Sequence, residues 1–313
     1  MTYYYILPDG EKTLPISGSV SFIHDMCEML DLMIHSPTAL KILKHNANLP
    51  KPLVIEEWKN PLDSGRNENG RIQIANGKTK YGSKVEKYSW LTLVPHEIRH
   101  CYNIKSQSTI LQSVSYAVAN EPDAQAIGCL IALELSDYIE KNKEILPNAG
   151  VLKKHLETPK PHQIFKKFYE ESDGSEEEKK ASAILKFAKD WTSRIWDNEY
   201  YHNRTIAENA YRIGIERDIS ENEGWDRLNE ETFPLKEAEL LKKEKNIIRK
   251  EWPTFLKRLM DGTYNTDVIL YGQDIKPENL IQTISPKLAT HLQKIGVIPK
   301  PCSQPIPTPS SER

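Results

Sequence analysis

Cysteine is scarce and scattered in this chain: 4 in 313 residues, at Cys27, Cys101, Cys129 and Cys302. No Cys-x-x-Cys pair occurs, which excludes a disulfide scaffold and predicts reduced, mostly buried thiols. An excess of one charge is also missing, because 42 basic residues face 44 acidic ones and the net charge is -2. Neither nucleic acid nor an anionic membrane surface is therefore an expected partner. No apolar run approaches the roughly 18 residues of a membrane span. The stretch from Met1 to Pro15 has no basic segment followed by an apolar core, so no secretory leader is read and the expected location is cytoplasmic.

What remains is an ordinary polar-leaning chain, 38% apolar and 27% charged, long enough for one large or two modest domains. "YYYILPDGEKTLPI" reads as a strand, a Pro-Asp-Gly turn and a second strand. Phe22, Ile23, Met26, Met29, Leu30 and Met33 then recur at helical spacing, and Ser36-Pro37 starts another helix through Leu40 and Leu43. "KPLVIEEW" predicts a strand, and the turn-rich "KNPLDSGRNENG" after it predicts a polar loop. "RIQIAN" alternates, with Ile72 and Ile74 on one face and Arg71 and Gln73 on the other.

Helical patterning resumes from about Gln107 to Lys143, broken or bent near Pro122, and dominates beyond Pro147. An acidic connection is read around Asp173 to Glu178. The ending "PKPCSQPIPTPSSER" is Pro- and Ser-rich and is expected to build no core. Strands in the first third followed by helices imply an α+β fold. The expected organisation is a domain over 1–147, a helical extension over 148–298 and a tail over 299–313.

Chemistry concentrates in "LVPHEIRHCYN". On a helix, residues i and i+4 share a face, so His96 and His100 can offer two imidazole nitrogens to one metal ion. Glu97 stands beside the first of them, positioned to take a proton from water that zinc has acidified towards a pKa of roughly 7. A pattern this short arises by chance in about one chain in a hundred of this size. The competing reading is an amphipathic helix with a charged solvent face. The apolar lead-in "WLTLV" favours a buried helix, and catalytic zinc needs a third protein ligand. Glu121 and Asp123 supply carboxylates after a gap of 20 residues from His100, on what reads as a second helix packed antiparallel to the first. Both acids also suit the first turn of a helix capped by Asn120.

His96-Glu97-x-x-His100, followed by an acidic residue on the next helix, resembles the gluzincin clan of zinc metallopeptidases, which includes the thermolysin-like enzymes. The segment Glu121-Pro122-Asp123-Ala124 is similar to the "EADA"-type segment of small bacterial metallopeptidase-like proteins that carry a "HElRH"-type helix. The resemblance covers about Pro52 to Tyr138. It implies a minimal zincin-like metallopeptidase core, with a small antiparallel sheet above and two ligand-bearing helices below. It also implies His96 and His100 as zinc ligands, Glu97 as general base and Glu121 as glutamate ligand. Asp123 is then an alternative ligand or a group holding a ligand histidine. In such enzymes an edge strand above the metal binds the substrate backbone, and Arg71 to Ala75 is the candidate. Tyr200, Tyr201 and His202 in "NEYYHNR" are candidate oxyanion donors, with Tyr201 and His202 preferred. The chain departs from the pattern at Pro95, which starts or bends the helix just before His96, and in the Glu-x-Asp spacing.

The leading expectation is a zinc-dependent peptidase acting on a peptide or protein substrate. The alternative is a catalytically silent protein of the same fold that binds a partner through its helical half, Lys153 to Asp261. A structural zinc site is disfavoured because such sites are Cys-rich and only Cys101 is near. His24, His35, His45 and His291 show no metal spacing, while His155 and His162 lie among lysines in a stretch that reads as solvated.

Overall fold

The computed structural model describes residues 1–8, 10, 12–59, 61, 64–68, 70–80, 82, 84–100 and 120–197, with isolated positions 245–247, 249–251, 254 and 293. Of 68, 189 and 192–197 it describes the backbone alone. The protein is mixed α+β, built from a small sheet with helices.

A hairpin opens the chain. Strand β1 (Thr2–Ile6) pairs antiparallel with β2 (Thr13–Ser17). Helix α1 (Val20–Met33) starts where the Ser19 hydroxyl accepts the Phe22 N–H, and it buries all six apolar positions that the spacing marked. Helix α2 (Pro37–Ala47) uses Ser36 as its cap and Pro37 as its first residue. Next come β3 (Val54–Trp58), β4 (Gly65–Glu68) and β5 (Arg71–Ala75), in a sheet ordered β1-β2-β3-β5-β4.

The sheet corrects two expectations. It is mixed rather than antiparallel: β2 runs parallel to β3, and β3 parallel to β5. Helices α1 and α2 form the long crossover that parallel neighbours require. The strand Arg71–Ala75 is also interior, flanked by β3 and β4, and among the described residues β4 is the outer strand on that side. That strand comes from the segment read as a polar loop. Its sequence, Gly-Arg-Asn-Glu, shows no apolar alternation: the two residues on its helix-facing side, Gly65 and Asn67, lie against Glu97.

The sheet's two faces differ. Ile55, Ile72 and Ile74 are fully buried towards the helices. On the opposite face Arg71 and Gln73 bond Glu56, and Arg66 reaches Gln73 and stacks over Trp58. A two-stranded ribbon, β6 (Gly77–Lys78) with β7 (Lys84–Val85), and a 3-10 turn at Lys87–Ser89 lead into α3 (Trp90–Arg99). Trp90 anchors the start of α3: it is fully buried against Phe22 of α1, and its indole N–H donates to the Ala75 carbonyl. Burial of each such ring contributes about 2–3 kcal/mol.

Helix α4 (Glu121–Lys141) is buried on nearly every side. It packs on α3, on α5 (Ala149–Glu157), on α6 (Lys160–Glu170) and on α7 (Glu176–Asp197). Leu152, Leu156, Phe165, Ile184 and Phe187 of these last helices belong to the same apolar core as Ile16 and Ile55. The acidic connection shrinks to a turn, because Glu176 to Glu178 are already helical. Ser175 and Glu178 cap each other's backbone N–H there, in a Ser-x-x-Glu box. No helix among the described residues is long and apolar enough to cross a membrane.

Candidate metal centre

Two antiparallel helices build the site. Gly128 of α4 lies against Thr92 of α3, Asp123 lies against Arg99, and Asn120 and Glu121 lie against His100. Pro95 sits inside α3 rather than at its start, and the helix continues through it to Arg99. Proline removes one backbone hydrogen bond there, but α3 is held from outside by its buried face.

His96 and His100 present their Nε2 atoms to one point, 3.0 Å apart, with the rings perpendicular at 4.6 Å. Oε2 of Glu121 lies 3.2 Å from His100 Nε2 and 3.8 Å from His96 Nε2. The second carboxylate oxygen, Oε1, accepts from Gln125, which leaves Oε2 aimed at the histidines. Ligand bonds of about 2.05 Å around a tetrahedral zinc ion put neighbouring ligand atoms about 3.3 Å apart. The three separations bracket that value. Among the described residues no fourth donor joins these two imidazoles and one carboxylate, a group that could hold a metal ion.

The first turn of α4 also holds the rings. Nδ1 of His100 lies 2.5 Å from Oδ1 of Asn120, an acceptor, so Nδ1 carries a proton and Nε2 is the nitrogen turned towards His96 and Glu121. The His96 ring is bonded by the Ala124 backbone. Asn120 stands at the cap position that the sequence also allowed for it, but it has helical torsions and makes no side-chain capping bond. Its role at His100 escapes sequence reading because asparagine before a helix is the ordinary signature of a cap.

Electrostatics divide the two histidines. Burial brings His96 down to about 4 against the pull of Glu121. Burial opposes protonation of His100 as well, yet its hydrogen bond to Glu121 and the charges of Glu121 and Glu97 carry it up to about 9. Glu121 is held well below the usual carboxylate range, since its histidine and glutamine partners outweigh its burial. Glu97, 5% exposed, is therefore close enough for its charge to act on His100.

Asp123 stands outside the donor group. Both of its oxygens receive the Arg99 guanidinium, and the pair is almost fully buried. Burial outweighs that partner and pushes Asp123 up to about 6. Tyr200, Tyr201 and His202 lie outside the described residues. A second group of potential donors, His24, Asp25 and Glu28, is gathered by helical spacing on α1. Its two carboxylates already bind the Lys87 ammonium at 3.0 and 2.7 Å.

Two residues of β4 reach the site unannounced by the sequence. Asn67 donates its amide to the Glu97 carbonyl at 2.9 Å, and Gly65 passes directly over the Glu97 side chain. Set against models of known families, curated proteins and solved structures, the chain matches none.

Proposed function

We propose that this chain is a zinc-dependent metallopeptidase with a minimal gluzincin-like core. The observation that carries this reading is the convergence of His96 Nε2, His100 Nε2 and Glu121 Oε2 at 3.0–3.8 Å. These three residues would hold the ion, and Asn120 and the Ala124 backbone would keep the two rings turned towards it. Zinc bound there supplies Lewis acidity towards a carbonyl oxygen and towards water.

Glu97 is the general base. Its carboxylate takes the proton of the attacking water and passes it to the departing amide nitrogen. Enclosure by α3 and β4 keeps that carboxylate out of bulk solvent, where it would be hydrated and diffuse in position. Among the described residues β4 is the outermost strand on that side of the sheet, a position at which an extended peptide could add, which favours a peptide or protein substrate. Tyr201 and His202 remain candidates for stabilising the oxyanion.

Metal analysis and cleavage test this together. The purified protein should carry about one zinc per chain, and His96→Ala should lose it. Glu97→Gln keeps the zinc and no longer cuts an unfolded protein that the wild type cuts. A chain that binds no zinc would overturn the reading. Zinc binding without any Glu97-dependent cleavage would instead favour a silent, partner-binding role.

A further inference from the structure

We infer that Gly65 is a positioning residue for Glu97: the missing side chain at this point of β4 is the space that the Glu97 carboxylate occupies. The inference rests on the reading of Glu97 as general base. Strand β4 crosses α3 above Leu93 and Glu97, which lie one turn apart on the same face. A Cβ at position 65 would stand 3.1 Å from Glu97 Oε1, 3.3 Å from Glu97 Cγ and 3.2 Å from Leu93 Cδ1. Contacts that short force one partner to move by a few tenths of an ångström.

The backbone does not demand glycine here. Gly10, Gly70, Gly77, Gly82 and Gly174 have positive φ, and Gly65 is not among them. Space is what excludes a side chain. The strand cannot simply lift away, because it is fastened on both sides. Towards the sheet, Gly65 is paired with Ile74, and Ala75 N–H donates to the Ser64 carbonyl. Towards the helix, Asn67, two residues on and so on the same strand face, donates to the main-chain oxygen of Glu97. Leu93 is packed against the core. The carboxylate is thus the part left to yield, and a general base must sit within about 2.6–3.2 Å of the proton it takes.

The test begins with metal-free protein. Melting temperatures are compared for wild type, Gly65→Ala, Glu97→Ala and the double variant. Crowding predicts that Gly65→Ala lowers the melting temperature by several degrees and that most of this loss vanishes beside Glu97→Ala. Equal losses in both backgrounds would overturn the contact. If Gly65→Ala alone does not fold, recovery of folding in the double variant supports it, and failure of both overturns it.

Cobalt(II) loaded in place of zinc then reads the position of the carboxylate. The pH transition of its visible spectrum should move in Gly65→Ala towards that of Glu97→Gln, with metal content unchanged. An unmoved transition would rule out a positioning role. If the wild type also cleaves, Gly65→Ala lowers kcat at least tenfold and leaves KM nearly constant. If it does not cleave, the peptidase reading fails, while melting and cobalt titration still decide the role of Gly65.

Discussion

The side-chain oxygen of Asn120 lies 2.5 Å from Nδ1 of His100, a residue twenty positions earlier in the sequence, across the gap between two helices. In the proposed metal site this contact would hold the ring of a ligand histidine in place. Asn120→Ala should weaken zinc binding about 10- to 100-fold, in line with losses of such supporting bonds. Competition with a chromogenic chelator measures it, and circular dichroism confirms an unchanged helix content. Unaltered affinity would show that Asn120 does not orient the ring.

The two acids of the Glu-x-Asp segment should separate cleanly. Glu121→Gln loses bound zinc, whereas Asp123→Asn retains it but unfolds at lower denaturant concentration. Removing one partner of a buried ion pair costs about 3–5 kcal/mol, because the other charge is left in a low-dielectric site. Arg99 would be that stranded charge. Zinc lost from Asp123→Asn and kept by Glu121→Gln would reverse the assignment.

Gly128 offers a gain in stability. It lies within α4, and a Cβ there would meet Thr92 at 3.7–3.8 Å, an ordinary contact distance. Gly128→Ala should therefore stabilise the fold by about 0.5–1 kcal/mol through helix propensity and a less disordered unfolded chain. Urea unfolding measures the change. A loss instead would mean that α3 and α4 need closer approach than the structure has.

Two histidines outside the site set a pH dependence. Burial holds His155 below the ordinary histidine value, and it does the same to His162, whose Nδ1 donates to the Leu156 carbonyl at 2.7 Å. Their folded pKa values are depressed, so the unfolded chain takes up protons first as pH falls. Their contribution is complete above the unfolded value of about 6.5 and is lost as pH drops through that value towards the folded ones. The stability advantage of the wild type over a His155→Gln, His162→Gln double variant should shrink between pH 7.5 and 5.5. An advantage independent of pH would mean that neither imidazole is held neutral.

The legible parts of this fold are those where one residue type has one use. The α1 positions from Phe22 to Met33 are apolar at helical spacing because they all face one core, and each is buried. The pairing of His96 with His100 follows from helix geometry alone. Legibility fails where a residue type serves two purposes. Asn120 looks like a cap and instead binds a histidine, and Gly65 looks like a turn former and instead makes room for a carboxylate. His162, read as solvated among lysines, is drawn against the end of α5 by a single carbonyl. Strand direction was hidden for another reason: it depends on where α1 and α2 return the chain, which no local pattern records.

The helix that carries Glu121 is also the one on which α3, α5, α6 and α7 pack. An ion held at its first turn therefore acts as a ligand of the whole folded state. At a free concentration one thousand times Kd, such a ligand adds about 4 kcal/mol to stability. Under the proposed metal binding, the supply of the ion would then govern how long each molecule survives proteolysis.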